Sequence, residues 1–272
     1  MRAPGRMSNI SPKQRGVQAD QIRKGRQMGS PKKPNKYLSL IIWLLPSGGF
    51  KRWALRALGN DIADDAVIGP ILVLGCGVFS LGNGSIISGF NIFKGLAHVR
   101  LDSRNFIGSW NQFTAAPEYQ IYSDHVGMLW MKEQSFVANR HYIDCSGQVI
   151  LGPYSALGGI KSIIQSHELD IADNKTTVGR VVLGKYAVTS TACVMLKDSY
   201  LPDRSMLAAG ALLVKAKEGS ELPTSGLYAG APARFVKEVG EFAWWDRESH
   251  YTPVTAFDDK DFRLDGYEPE AG

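Results

Sequence analysis

Five histidines are the candidates for a general base in this chain of 272 residues. With a reference pKa of about 6.5, histidine is largely neutral near pH 7 and can accept the proton of an attacking hydroxyl. His98 and His141 lie in the part of the sequence that repeats, and His250 lies near the C-terminus. His125 and His167 lie in irregular polar stretches, and loops on a rigid scaffold commonly carry catalysis. Position alone leaves His167, in the run SHELD, as either a catalytic base or a solvated loop histidine.

A second polar cluster occupies residues 139–144, whose sequence is NRHYID. It places polar side chains where the surrounding pattern has small residues. Because buried polar groups need hydrogen-bond partners, we expect this cluster to face a cleft. The alternative is that Asp144 only caps a turn.

A six-residue period dominates the sequence around these candidates. From Leu183 onward every sixth residue is mostly a large aliphatic: Leu183, Thr189, Met195, Leu201, Leu207 and Leu213. Four places after the first five stand only small residues: Ala187, Cys193, Ser199, Ser205 and Ala211. This period predicts an all-β coil of short parallel strands with tight corners. A β-sandwich, the alternative, does not hold one register through six hexads.

This pattern resembles the hexapeptide-repeat acyltransferases over residues 60–238, most specifically at Ile150–Asp170 and Leu183–Val239. The resemblance implies a left-handed parallel β-helix with three hexads in each coil, and the segments before and after the repeat predict short capping helices at its ends. It also implies a homotrimer. The expected domain is therefore a β-helix acyltransferase domain over residues 60–238.

The most specific motif is LYAGAPAR at residues 227–234, which follows LAAGA at residues 207–211. It resembles the coenzyme A site of that family, in which small residues let the pantetheine approach the backbone. The resemblance implies acetyl-CoA or another acyl-CoA as co-substrate, and an arginine that meets its phosphates. Val214 departs from the threonine that the family commonly has there. The implied cofactor-binding residues are Ser190, Ala209, Lys215, Gly230 and Arg234.

The same resemblance implies that His167 is the catalytic base for direct transfer to a hydroxyl of a saccharide or glycolipid-type acceptor. Glu168, Asp170 and Asp144 remain alternatives for the residue that orients its ring. A family segment that binds the acceptor is similar to residues 139–144, which implies substrate-binding roles for Asn139, His141 and Asp144. Because the family transfers directly, we interpret Cys145 as structural.

Two segments leave the repeat, residues 114–136 and residues 164–182. Before the repeat, residues 1–36 form a basic tail expected to be flexible, and residues 37–59 form an amphipathic helical cap interrupted at residues 46–49. After it, residues 235–247 are expected to close the coil as a helix, so that residues 239–272 hold a helix end and an acidic aromatic tail. Residues 37–58 either rest on an anionic membrane surface or simply cap the first coil.

Charge is distributed unevenly along the chain. Residues 1–36 hold ten Lys or Arg and one acid, a net of +9, while the remainder holds 21 basic and 25 acidic residues, a net of −4. The body therefore offers no basic surplus to nucleic acid, and no nucleic-acid partner is expected. Three cysteines without a CxxC pair predict reduced thiols. We therefore expect a cytoplasmic protein, and this expectation includes a location at the inner surface of the membrane.

Two other function classes remain. A γ-carbonic-anhydrase-like enzyme shares the coil but needs two histidines four residues apart plus a third for zinc. No two histidines here are that close, so no metal is expected. A non-catalytic scaffold subunit built from the same repeats is the other alternative, and coenzyme A release would separate it from an enzyme.

Overall fold

The computed structural model describes residues 36–220, 222–249, 252 and 254–256. The expected flexible tail, apart from residue 36, lies outside the described residues. Most of the acidic aromatic tail and His250 lie outside them as well.

Three parallel sheets, here called A, B and C, form the faces of a three-sided coil that the chain visits in the fixed order A, B, C. The strands of sheet A are Asp61–Ile62, Val78–Leu81, His98–Leu101, Met128–Met131, Gln148–Leu151, Arg180–Leu183 and Tyr200–Leu201. Those of sheet B are Val67–Ile68, Ile86–Ile87, Phe106–Ile107, Phe136–Asn139, Ala156–Ile160, Val188–Thr189, Met206–Leu207, Gly226–Gly230 and Ala233–Glu238. Those of sheet C are Leu72–Leu74, Ile92–Lys94, Gln112–Thr114, Tyr142–Asp144, Ile163–Gln165, Val194–Met195 and Leu212–Leu213.

The core lies inside this prism. Each large residue of the hexad points inward and stacks on its equivalent in the next coil, because consecutive coils pair in register. Phe93 pairs with Phe113, for example, and their rings lie 4.5 Å apart and nearly parallel. The small residues of the hexad fill buried corners, as Ala187 and Ser205 do. The six-residue period is therefore the spacing from one face of the prism to the next.

Two helices cover the first coil: α1 over Lys36–Leu44 and α2 over Gly49–Ala57. Their inner side is buried against the coil through Trp43 and Leu55. The ammonium of Lys51, 1% exposed, lies 2.7–3.2 Å from four carbonyl oxygens, two at the end of α1 and two in the first coil. Within the described residues, no helix has both the length and the apolar character needed to cross a bilayer.

The end of the coil corrects one expectation. Residues 235–247 do not form a closing helix: Ala233–Glu238 is a strand that pairs antiparallel with Gly226–Gly230, and only Ala243–Asp246 forms a short 3-10 helix. The last strand of the coil leaves backbone groups unpaired along its edge. The chain reverses at Pro232, and the returning strand pairs with that edge. These backbone hydrogen bonds outweigh the helical periodicity of the segment.

Both interruptions leave the coil at the corner where sheet C leads to sheet A. The first excursion is residues 115–127, with a 3-10 helix at Pro117–Ile121. The second is residues 166–179, a hairpin of strands His167–Asp170 and Lys175–Val178. The first is shorter than the expected 114–136, because Met128–Met131 rejoins sheet A in register with inward Leu129 and Met131. The two excursions lie two coils apart and flank the corner of the coil between them.

Candidate active site

A cavity of about 450 Å³ opens at the corner between the two excursions. This volume is in the range of small-molecule sites. Of the four histidines that the structure describes, His167 alone lines it. The lining residues come from four coils: Lys94, Thr114, Ala115, Ala116, Tyr142, Asp144, Ser146, Ile163, Ile164, Gln165 and His167.

The centre of this cavity is a pair formed by His167 and Asp144. His167 Nδ1 lies 2.7 Å from Asp144 Oδ2. The histidine side chain is 36% exposed and the carboxylate 7%, so the imidazole stands between the buried acid and the open cavity. Asp144 is therefore the orienting residue among the three alternatives.

Asp144 is itself held by the backbone and by two serines. Its Oδ1 accepts hydrogen bonds from the Ser146 backbone N–H and hydroxyl at 3.2 and 2.5 Å. Its Oδ2 accepts one from the Ser166 N–H at 2.9 Å. Ser166 Oγ lies 2.9 Å from the Asp144 carbonyl oxygen and accepts from the Gly147 N–H. Because these donors come from two coils, the carboxylate is fixed in position before any ligand binds.

The hairpin of the second excursion fixes His167 in turn. Its base is closed by a hydrogen bond from the Gly179 N–H to the Ser166 carbonyl at 2.8 Å. The Gln165 side-chain amide donates to the His167 carbonyl at 2.9 Å. From the first excursion, the ring of Tyr119 approaches the imidazole with centroids 6.3 Å apart. The imidazole of the second excursion thus faces the first excursion.

The two other acids of the hairpin have partners elsewhere. Glu168 Oε1 lies 2.9 Å from Lys197 Nζ. Asp170 accepts a hydrogen bond from the Asp173 N–H at 3.1 Å. Both side chains are thus engaged away from the imidazole, which leaves its orientation to Asp144.

His141 does not bind substrate as expected, because it is 2% exposed and lies inside a corner of the prism. A ladder of polar side chains runs along this corner, each accepting the backbone N–H of its equivalent in the next coil. Asn91 Oδ1 accepts from Asn111, Asn111 Oδ1 from His141, and His141 Nδ1 from Ser162, at 2.8, 2.8 and 3.1 Å. Burial lowers the pKa of His141 to about 4. Its role is to continue this ladder.

Asn139 is also absent from the cavity lining. It is exposed at the end of a sheet B strand, and its Oδ1 accepts a hydrogen bond from the Ser109 N–H at 2.6 Å. The pairing register of this strand shifts between Val137 and Asn139. Residues 139–141 lie at the corner between sheets B and C, whereas the cavity opens where sheet C leads to sheet A, so of the three expected substrate-binding residues only Asp144 lies in it.

The cysteine beside the site is buried. Cys145 has no exposed surface, and burial, followed by the charge of Asp144, raises the pKa of its thiol well above the usual value. A thiolate nucleophile is therefore disfavoured at this position. Cys193 is buried in the core as well.

Three residues of the expected coenzyme A site lie at a different corner, while Lys215 follows the sheet C strand Leu212–Leu213 two coils beyond the cavity. Ser190, Ala209 and Gly230 follow or end neighbouring strands of sheet B, on the last coils. Lys215 and Arg234 are exposed nearby on the chain, and Arg234 Nη1 donates to the Ala233 carbonyl. None of the five lines the cavity at His167. One chain alone does not bring the two sets together.

Several residues of the site were missing from the sequence-based prediction. Ser146 and Ser166 hold the carboxylate, while Tyr142 and Gln165 line the cavity. Ser146 had a local signal, because an Asp with a Ser two places later is typical of a side-chain-capped turn. Tyr142 lay in the polar cluster of residues 139–144 but was not singled out, and Gln165 had no signal, since only the pairing of their strands brings them together. Among the described residues, no group of three or more His, Cys, Asp or Glu side chains could hold a metal ion.

Comparison with solved structures identifies the fold. The polysialic acid O-acetyltransferase OatWY matches 71% of this chain and 90% of its own, with 15% identity and a TM-score of 0.51. This chain shares the fold of that acetyltransferase. The left-handed parallel β-helix of hexapeptide repeats expected from the sequence is confirmed.

Two further similar structures have lower TM-scores. The N-acyltransferase AntD from Bacillus cereus, in complex with dTDP and 3-hydroxybutyryl-CoA, covers 69% of this chain and 88% of its own, at 17% identity and a TM-score of 0.45. The hexapeptide-repeat containing acetyltransferase VCA0836 from Vibrio cholerae O1 biovar eltor, complexed with acetyl coenzyme A, covers 87% and 94%, at 10% identity and a TM-score of 0.38. No family model and no curated protein matches the chain.

Proposed function

We propose that this protein transfers an acyl group, acetyl in the first instance, from acyl-CoA to a hydroxyl of a saccharide or glycolipid-type acceptor. The observation that carries the proposal is the hydrogen bond between His167 Nδ1 and Asp144 Oδ2 at the wall of an open cavity. A histidine held by a buried carboxylate is the usual arrangement of a general base. The activity of OatWY, whose fold this chain shares, supports the choice of acetyl and of a hydroxyl acceptor.

The geometry supports Nε2 as the nitrogen that acts. Asp144 Oδ2 accepts a hydrogen bond from the Ser166 N–H, so it serves as an acceptor, and the proton of the pair belongs on His167 Nδ1. His167 Nε2 then carries the lone pair. Nε2 takes the proton of the acceptor hydroxyl as its oxygen bonds to the thioester carbonyl carbon. When the carbon–sulfur bond breaks, Nε2 returns that proton to the departing thiolate, which yields an ester and free coenzyme A.

The cavity supports a small polar acceptor. Thr114, Tyr142 and Gln165 offer hydroxyl and amide groups for hydrogen bonds to sugar hydroxyls, and Lys94 adds a positive charge at the rim. Ile163 contributes an apolar surface between them. Such a mixture of a few polar groups with apolar lining is typical of sites for small molecules.

Within one chain, the residues proposed to bind acyl-CoA do not line the cavity at His167. We propose that the protein is a homotrimer in which Ser190, Ala209, Lys215, Gly230 and Arg234 of one subunit hold acyl-CoA beside His167 of the next. The corner that holds Ser190, Ala209 and Gly230 is separate, within one chain, from the corner at His167, and this separation supports the arrangement. We place the reaction in the cytoplasm, which agrees with three free cysteines.

A panel of paired acceptors tests this proposal. The purified protein is incubated with acetyl-CoA and sugars that differ only in bearing a hydroxyl or an amine at one carbon, and release of coenzyme A is followed. We expect release with a hydroxyl acceptor and a product that alkali or hydroxylamine cleaves, as an ester requires. A product that resists alkali would be an amide, and it would show that the acceptor group is an amine and not a hydroxyl. No release with any acceptor, under conditions in which acetyl-CoA binds, would favour the scaffold alternative.

A further inference from the structure

The two N-terminal helices have distinct inner and outer faces. The inner face covers the first coil with Trp43 and Leu55, which are 2% and 0% exposed. The outer face presents large apolar side chains to solvent, with exposures of 47–66%: Ile41, Leu44, Phe50 and Trp53. The residues that cap the coil and the residues that remain exposed are therefore different. Capping the coil does not explain the outer face.

We propose that this outer face docks the protein on the surface of an anionic lipid bilayer. Phe50 and Trp53 lie one helical turn apart with ring centroids at 5.8 Å, which makes a compact aromatic patch on α2. Aromatic side chains of this kind favour the boundary between acyl chains and headgroups. Each helix has nine residues, so neither spans a bilayer, and both would lie in its plane.

Charge favours an anionic bilayer over an uncharged partner. Residues 1–60 contain 13 Lys or Arg and one acid, a net of +12, whereas residues 61–272 contain 18 basic and 25 acidic residues, a net of −7. Residues 37–60 contain no acid at all. Each exposed basic residue near an anionic membrane strengthens binding about fivefold, and Lys51, which is buried against four carbonyls, does not take part. The positive end of the chain is thus the end that carries the exposed apolar helices, while the negative body would face away.

The position of the helices sets the distance from the membrane to the cavity. The helices cover the coil that contains Leu72–Leu74, and the strand of Asp144 lies three steps further along sheet C. With about 4.8 Å for each step, the cavity lies roughly 15 Å from that coil, and the layer of helices adds about 10 Å to its distance from the membrane. If the proposed function holds, an acceptor sugar carried on a lipid would reach the cavity while its tail stays in the bilayer. The docking itself does not depend on that activity.

Flotation of the full-length protein with lipid vesicles tests the docking. One set of vesicles is phosphatidylcholine alone, and the other contains phosphatidylglycerol as well. We compare the wild type with Phe50→Ser/Trp53→Ser on α2 and with Ile41→Ser/Leu44→Ser on α1. The matched control is Val236→Ser/Phe242→Ser, which changes side chains of 56% and 43% exposure near the far end of the coil.

The wild type and the control are expected to float with vesicles that contain phosphatidylglycerol and to remain free with phosphatidylcholine. Each helix double variant is expected to lose about tenfold or more in partition, because burying one large apolar side chain is worth at least about 1.4 kcal/mol. Raising salt to about 1 M, where the screening length is about 3 Å, is expected to release the wild type.

Equal flotation of the helix variants and the wild type, or no flotation at all, would overturn the docking proposal. A change of oligomeric state in the helix variants, seen by light scattering, would overturn it in favour of a contact between copies. Acyl transfer to a soluble acceptor is measured on the same samples. If docking is lost and transfer is normal, the proposed function still stands. If docking is normal and transfer is absent, the docking proposal still stands.

Discussion

Replacing His141 with asparagine is expected to protect the fold against acid. His141 is 2% exposed, and burial lowers its pKa to about 4 from 6.5. The folded protein therefore resists protonation of this ring, whereas the unfolded chain takes up the proton near pH 6.5. The free energy of unfolding consequently falls as the pH drops below about 6.5, and the loss is complete below about 4.

The shift from 6.5 to about 4 gives the magnitude. At 1.36 kcal/mol for each pKa unit, the full loss is about 3 kcal/mol, of which about 2 kcal/mol is lost by about pH 5. Asparagine does not titrate in this range. It also suits the ladder, because Asn91 and Asn111 hold the equivalent positions of the two preceding coils and accept the same kind of backbone hydrogen bond.

Urea unfolding of both proteins at about pH 7.5 and about pH 5, at one protein concentration, measures this effect. Other titrating groups are common to both and cancel in the comparison. We expect the wild type to lose about 2 kcal/mol more than His141→Asn between the two pH values. Equal losses would show that His141 is protonated without cost in the fold, and the buried-ladder interpretation would be wrong.

Three further outcomes are expected. Asp144→Asn should lower kcat/KM for transfer about 100-fold or more, within the range of about 10²–10⁴ for a general base, because His167 loses its carboxylate partner; weaker acyl-CoA binding at unchanged kcat would contradict this. Lys51→Met should lower the free energy of unfolding by about 2–4 kcal/mol, since four carbonyls lose a charged donor, while the control Arg52→Met should cost less than about 1 kcal/mol in the same urea titration. Cys145→Ala should keep the transfer rate within about threefold in the coenzyme A release assay and lower only the melting temperature, because a buried thiol of raised pKa is no nucleophile; abolished transfer would mean that the thiol reacts.

The fold was predictable because the hexad repeats one physical requirement many times. A large inward residue and a small corner residue recur in every coil, as Leu183 with Ala187 and Leu201 with Ser205 show. The prediction of a closing helix at residues 235–247 was wrong, because a helical pattern of side chains carries no information about an unpaired sheet edge. That edge exists only once the coil has formed.

The site was predictable in part. His167 stood out because it lies where the repeat stops, but its partner could not be chosen among Glu168, Asp170 and Asp144. Asp144 is 23 residues away, and only the stacking of the coils brings it close. His141 was misassigned because a polar residue in a corner position looks exposed in sequence. Asn91 and Asn111 held a usable signal, as polar residues at equivalent positions of successive coils predict an internal ladder.

The role of His167 as general base can be tested by one comparison. Transfer by His167→Ala is measured with the best acceptor of the panel, alongside His98→Ala, whose histidine bonds Ser80 outside the cavity. Acetyl-CoA binding to each protein is measured by calorimetry. We expect kcat to fall about 10²–10⁴-fold in His167→Ala, with unchanged acetyl-CoA affinity, and to remain near wild type in His98→Ala. Transfer by His167→Ala at the wild-type rate would contradict a general base at this position.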